Sequence, residues 1–265
     1  ARFVERAAEG VEIVFQLAAL IAIPYSYVAP ESFIETNVRG TLNVLEAARR
    51  AGVRRVINTS TSEVYGTPDA LPIRETHPLR AQSPYAASKV AADQLALSFH
   101  LSFGLPVTIL RPFNTYGPRQ SERAVLATIV RQLLAGRTEV QLGRLDPRRD
   151  LTYVADTVDG FIRAATAAAA DVDGQTIQLG TGRSESIGEV FELACRVLGV
   201  EAHPVVDPAR IRPDASEVLV LCSDPSRARA LLGWQATTSL EAGIRATADW
   251  MRGRDDVREV DRVQL

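Results

Sequence analysis

Residues 85–110 read YAASKVAADQLALSFHLSFGLPVTIL. As far as Phe103 the run is long, amphipathic and free of glycine and proline, which predicts a helix. Gly104 and Pro106 stop it. From Pro106 to Leu110 the chain becomes short, apolar and β-branched, the pattern of a strand covered on both faces. A similar apolar run, residues 55–58, lies upstream of the helix. Strand, helix and strand at this spacing predict a βαβ unit, and therefore parallel pairing.

The same alternation continues outward. Strand-like runs recur at residues 11–17 and 176–179, and helix-like stretches at 31–51, 124–135, 154–169, 187–198 and 240–251. The predicted fold is α/β: a Rossmann-type doubly wound parallel sheet with a smaller C-terminal lobe. Residues 1–118, rejoined by 150–182, are expected in the sheet domain, and residues 119–149 and 183–265 in the lobe. The alanine run 164–170 reads as a tight helical packing face, and Trp234 as a core residue of the lobe. A dinucleotide fold should open on a glycine-rich turn that holds the pyrophosphate. No G-x-G-x-x-G occurs, and the chain starts at Ala1 inside a helical pattern. The expectation is that the first part of the sheet lies upstream.

The 265 residues are 46% hydrophobic and 23% charged. That excludes disorder, collagen-like repeats and a disulfide mini-domain. A net charge of −2 leaves no basic excess for the phosphates of a duplex, so no nucleic-acid partner is expected. No apolar run reaches the roughly 18 residues of a membrane span. Cys195 and Cys222 give neither metal-ligand spacing nor a framework of bridges. A cytoplasmic protein without metal or membrane partner is expected.

The basic residues carry the sharper signal. Lys89 is the single lysine among 30 basic residues. Arginine cannot replace a compact ammonium with a tunable pKa, although drift in a GC-rich genome leaves the same pattern by accident. Lys89 completes Y-x-x-x-K with Tyr85, and four residues on a helix share a face. A cation beside the phenol is expected to lower its pKa and make Tyr85 a general base. The run Thr59-Ser60-Thr61-Ser62-Glu63-Val64-Tyr65-Gly66 follows a strand, where ligands of open α/β sheets bind. A surface Tyr–Lys pair and an ordinary Ser/Thr turn are the plainer alternatives.

The strings VFQLAA, NVRGTLNVLEAA, TSTSEVYGT, SPYAASK, LRPFNTYGPRQ and RRDLTYV, in this order, resemble the extended short-chain dehydrogenase/reductase family. Within it the chain looks most like nucleotide-sugar 4,6-dehydratases, particularly those acting on N-acetylglucosamine nucleotides. The resemblance implies NAD as cofactor and a nucleotide-diphosphate sugar as substrate. It makes Tyr85 and Lys89 the catalytic pair, with Thr61 on the sugar 4-oxygen and Glu63 the base at carbon 5. Ser62 stands where one branch of the family has an acidic Asp. Leu17, Ala18, Ala19, Thr59 and Pro112 are implied beside the cofactor, together with Tyr85 and Lys89. Asn114, Arg149 and Arg212 are implied on the substrate, the arginines on its diphosphate, and Asn37 as a brace of the active-site backbone. A homodimer through the helices 31–51 and 85–103 is also implied. A 4-epimerase, a UDP-glucuronate decarboxylase of the same fold and a non-catalytic nucleotide-sugar or NAD binder remain as alternatives.

Overall fold

A computed structural model describes residues 2–253. The strands Ile13–Gln16, Arg55–Thr59, Val107–Pro112 and Thr176–Leu179 form one parallel sheet in that order. Successive side chains of a strand leave opposite faces. Val56, Val107 and Ile109 meet Leu45 and Ala48 of the helix Gly40–Ala51, and Ala96 and Phe99 of the helix Pro84–Phe103. Ile57, Leu110, Ile177 and Leu179 meet Phe161 and Ala164 of the helix Val154–Thr166, with Ala228 and Leu232 of the helix Ser226–Leu232. Helices therefore cover both faces, and the sheet is doubly wound.

A second core gathers the helices Val125–Leu134, Ile187–Leu198 and Leu240–Arg252 around Leu126, Ile129, Val190, Phe191 and Ile244. A parallel two-stranded ribbon, Glu139–Leu142 with His203–Val206, flanks it. The two cores are stitched together at Asp150. Its carboxylate accepts the backbone N–H groups of Thr181, Gly182 and Ser223 and the hydroxyls of Thr181 and Ser223.

Three local expectations are corrected. The helical stretch 31–51 is one rod with a defect: Pro30–Phe33 and Gly40–Ala51 are α-helical, while Ile34–Arg39 forms a wider π-helical segment. The alanine run is not continuous helix, because the helix stops at Thr166 and a short one restarts over Ala169–Val172. Buried Arg55 sets that stop. Its Nη1 donates to the carbonyls of Ala164, Ala165 and Ala167 while its Nε pairs with Asp173. A guanidinium is well suited to the unsatisfied carbonyls of a helix end. Trp234 packs on the sheet with Phe161, and its indole N–H donates to the Asp156 carbonyl. Among the described residues no helix is long and apolar enough to cross a membrane, and no group of three His, Cys, Asp or Glu side chains could hold a metal ion.

Candidate active site

The four parallel strands all end on the same edge of the sheet, and the functional candidates gather there. The strand Arg55–Thr59 runs into the 3₁₀ turn Ser62–Tyr65. Thr61 caps that turn, its hydroxyl accepting the Glu63 N–H at 3.2 Å. Gly66 ends it at φ 61, and a side chain there would strike the Arg80 carbonyl. Thr61, Ser62 and Glu63 thus hang on a short, firmly closed turn at the end of a central strand.

The helix Pro84–Phe103 faces this turn. Ser83 caps it by accepting the Ala86 N–H, and Pro84 fills the first position, where no amide hydrogen is needed. This fixes Tyr85 in the first turn. Its ring packs edge-on against Phe33, and its phenol is hydrogen-bonded to Thr61 with Glu63 acting on it electrostatically. One turn later the Lys89 ammonium donates to the Thr59 carbonyl at 2.5 Å.

Asn37 ties these pieces together. Its side chain exchanges two hydrogen bonds with the backbone of Leu20, at 2.8 and 2.9 Å, and donates to Ser88 Oγ at 2.9 Å. It therefore fixes the loop holding Leu17, Ala18 and Ala19 against the helix of Tyr85 and Lys89. Gln16 also donates to the Ala18 carbonyl at 3.4 Å. Pro112 ends the next strand and pairs with Leu179.

Behind Lys89, Asp93 is fully buried in a network the sequence did not announce. It accepts Ser60 Oγ at 2.6 Å and two Arg111 N–H groups at 2.9 and 3.1 Å. Arg111 also donates to the Tyr65 hydroxyl at 3.0 Å.

The second lobe supplies the cations. Arg212 Nη1 lies 3.9 Å from Glu63 and 3.8 Å from Glu217, and it is buried without a hydrogen-bond partner. Arg149 is nearby but committed: Nη1 donates to the carbonyls of Arg148 and Val218, and Nη2 to Glu217 at 2.9 Å. Burial pushes the Arg149 guanidinium down, and Glu63 opposes that. Of the two predicted phosphate ligands, Arg212 has the free donor. Glu217 carries no local signal, since it stands in an unremarkable loop.

The phenol departs from expectation. The Tyr85 pKa is raised, not lowered: burial dominates, the Thr61 hydrogen bond opposes it, and Glu63 and Asp93 add to it. Lys89 does not relieve it, because its ammonium rests on the Thr59 carbonyl. Burial also pushes the Lys89 amine down, against the pull of Asp93.

Among the described residues, Thr59 Oγ1, Asn58 Oδ1, Asn114 Oδ1 and Arg212 Nη1 are buried polar atoms without hydrogen-bond partners. Buried polar groups are seldom left so. A phenol and a carboxylate acting on one another can move protons, and the Arg212 guanidinium lies 3.9 Å from that carboxylate.

Known proteins share this arrangement of strands and lobes. A UDP-glucose 4-epimerase from Mycolicibacterium smegmatis is 38% identical over 247 residues, covering 92% of this chain and 77% of that protein. The crystal structure of DesIV, a dTDP-glucose 4,6-dehydratase from Streptomyces venezuelae with NAD and TYD bound, superposes with a TM-score of 0.85 at 30% identity, covering 95% of this chain and 76% of that one. The X-ray structure of Pal from Bacillus thuringiensis gives a TM-score of 0.86 at 30% identity, covering 95% and 80%. The family model described as GDP-mannose 4,6 dehydratase matches residues 3–247. The sheet, most of the lobe and the site residues lie within that match, and the chain belongs to this family of extended short-chain dehydrogenase/reductases.

Proposed function

We propose that the protein is a nucleotide-sugar 4,6-dehydratase that converts a nucleotide-diphosphate hexose into its 4-keto-6-deoxy form. The observation that carries this reading is Glu63, held one residue beyond Ser62 on the capped turn, acting on the Tyr85 phenol and within reach of Arg212. A carboxylate beside the phenol supplies the second base that is needed when a proton must leave carbon 5.

The residues present fit NAD. Unpartnered Thr59 Oγ1 and the Lys89 ammonium lie at the strand end, beside Tyr85, and the braced Leu17, Ala18 and Ala19 loop and Pro112 line the same edge. When bound, NAD supplies a hydride acceptor for carbon 4 and a hydride donor for carbon 6. Tyr85 takes the proton of the 4-hydroxyl, and Thr61 hydrogen-bonds the same oxygen. The resulting 4-ketone acidifies the proton on carbon 5, which Glu63 removes. The carbon 6 hydroxyl leaves with a proton from Glu63, directly or through water, because Ser62 is a poor acid. A proton returns to carbon 5 to complete the balance. Arg212 and Asn114 hold the nucleotide-sugar, and Arg149 acts through Glu217. The sheet domain is the cofactor side and the smaller lobe the substrate side.

A 4-epimerase is the second reading, favoured by the 38% identity to the mycobacterial enzyme. It gives Glu63 no proton to move. Incubation with UDP- and GDP-linked glucose, mannose and N-acetylglucosamine, with mass analysis of the products, separates the two. A product one water lighter supports dehydration, and unchanged mass with inversion at carbon 4 supports epimerisation. Loss of carbon dioxide from UDP-glucuronate would assign decarboxylation, and binding of every sugar without turnover a non-catalytic role.

A further inference from the structure

Tyr85, Lys89 and Asp93 stand at successive turns on one face of the helix Pro84–Phe103. All are buried, with 7%, 5% and 0% of their surface exposed. Asp93 is surrounded by donors. Arg111 directs Nε and Nη2 at Oδ2, Ser60 Oγ reaches the same oxygen, and Asn58 Nδ2 lies 3.3 Å from Oδ1. Burial pushes the Asp93 carboxyl up, while Arg111, the Ser60 hydroxyl and Lys89 oppose it; the Arg111 and Asn58 groups on it can only donate, and they favour the carboxylate. Two cations, Lys89 and Arg111, flank this one anion in a dry interior.

The charged and titratable groups around Lys89 come from three elements. Tyr85 and Asp93 share its helix; the strand Val107–Pro112 brings Arg111 to Asp93, and the turn Ser62–Tyr65 brings Glu63 to Tyr85 and Tyr65 to Arg111. Burial alone would favour a neutral amine at Lys89, and Asp93 is the charge that opposes it. Ser60 and Asn58 bracket Thr59, whose carbonyl receives the ammonium. Asp93 therefore fixes both the charge of Lys89 and the strand end on which it rests.

We propose that Asp93 is a positioning residue for the reaction: it favours the ammonium form of buried Lys89 and, through Ser60, Asn58 and Arg111, holds the strand end that seats it. The inference rests on the proposed reading of Lys89 as a cofactor-side residue at the strand end, and Asp93 acts through Lys89, not on the sugar.

Lys89 is the single lysine, so protein grown on lysine carrying ¹³C at Cε gives one lysine resonance that needs no assignment. Its chemical shift reports the charge of the side chain directly. In the wild-type protein the resonance is expected at the ammonium position at pH 8. In Asp93→Asn the titration midpoint is expected to fall by at least about one pH unit. Should Asp93→Asn fail to fold because Arg111 is left without its counter-charge, Asp93→Asn/Arg111→Met removes both charges and is read the same way. A wild-type resonance already at the neutral-amine position, or equal midpoints in wild type and variant, would overturn the proposal. The titration uses no sugar, so it stands apart from any failure of the dehydratase reading. In steady-state assays the same variant is expected to lose kcat on the alkaline side while KM for the nucleotide-sugar changes little.

Discussion

The Tyr85 phenol keeps its proton more tightly than a free tyrosine, because burial outweighs the Thr61 hydrogen bond. A base of this kind is active only once deprotonated. kcat/KM is therefore expected to rise with pH above neutrality, with a slope of about one on logarithmic axes. A profile flat from pH 7 to pH 10 would remove Tyr85 from that role. Tyr85→Phe is expected to lower turnover by about 10² to 10⁴, read against unchanged nucleotide binding. The same shift has a consequence for folding. Tyr65 and Tyr85 both hold their protons above the ordinary phenol range, so the unfolded chain releases them first. Their contribution to stability is complete below about pH 10 and is lost as pH rises beyond it. Urea titrations at pH 9 and pH 11 measure that loss. At this scale the sequence was readable where chemistry is local. One strand end and one helix turn bring Thr61, Glu63, Tyr85 and Lys89 together. Glu217 could not be read, because only the folding of a distant loop brings it to Arg149 and Arg212. Asp93 had a usable signal in its four-residue spacing from Lys89, but only burial distinguishes it from a solvated helix carboxylate.

The elements differ from their sequence patterns where a buried polar side chain intervenes. Asn37 sits in the π-helical segment and uses its whole amide on Leu20 and Ser88. π segments of this kind often occur at functional sites. Asn37→Ala would leave the Leu20 N–H and C=O without partners, and is expected to cost about 1–3 kcal/mol per unsatisfied group. Denaturant unfolding measures the cost, and limited proteolysis of residues 17–21 reports release of the loop. Arg55 explains why hydrophobic pattern alone misplaced the end of the helix Val154–Thr166. Periodicity sees a run of alanines, whereas the chain sees three carbonyls gathered by one guanidinium. Arg55→Met leaves those carbonyls and Asp173 unpaired, and is expected to destabilise the fold by about 3–5 kcal/mol. A change below 1 kcal/mol would mean that the helix ends for another reason. The four strands of the sheet were legible to within two residues from their short, β-branched apolar runs, whereas the ribbon Glu139–Leu142 with His203–Val206 was not read.

In the whole molecule, Asp150, next to Arg149, ties the segment after the strand Thr176–Leu179 to Ser223 through five hydrogen bonds. The change in texture after Pro118 suggested a separate lobe, and the helices Val125–Leu134, Ile187–Leu198 and Leu240–Arg252 do pack on one another in a cluster of their own. The return of the segment 226–234 to the sheet was not legible, because its short helix and tryptophan would suit either core. The outward faces of the two site-bearing helices leave Ile34, Leu101 and Phe103 exposed, the last two at 74% and 54%. We propose that a second copy of the chain covers them. Sedimentation equilibrium is expected to give twice the chain mass, and Leu101→Asp the monomer; a wild-type monomer at micromolar concentration would refute the dimer.

The most direct test of Glu63 as the base at carbon 5 is turnover in deuterated water by wild type and Glu63→Gln. The wild-type product is expected to be a 4-keto-6-deoxy sugar with deuterium at carbon 5. Glu63→Gln is expected to oxidise carbon 4 but to leave the carbon 5 hydrogen in place and expel no water. Equal deuterium in the products of both proteins, or a wild-type product that keeps its carbon 5 hydrogen and its mass, would contradict the assignment.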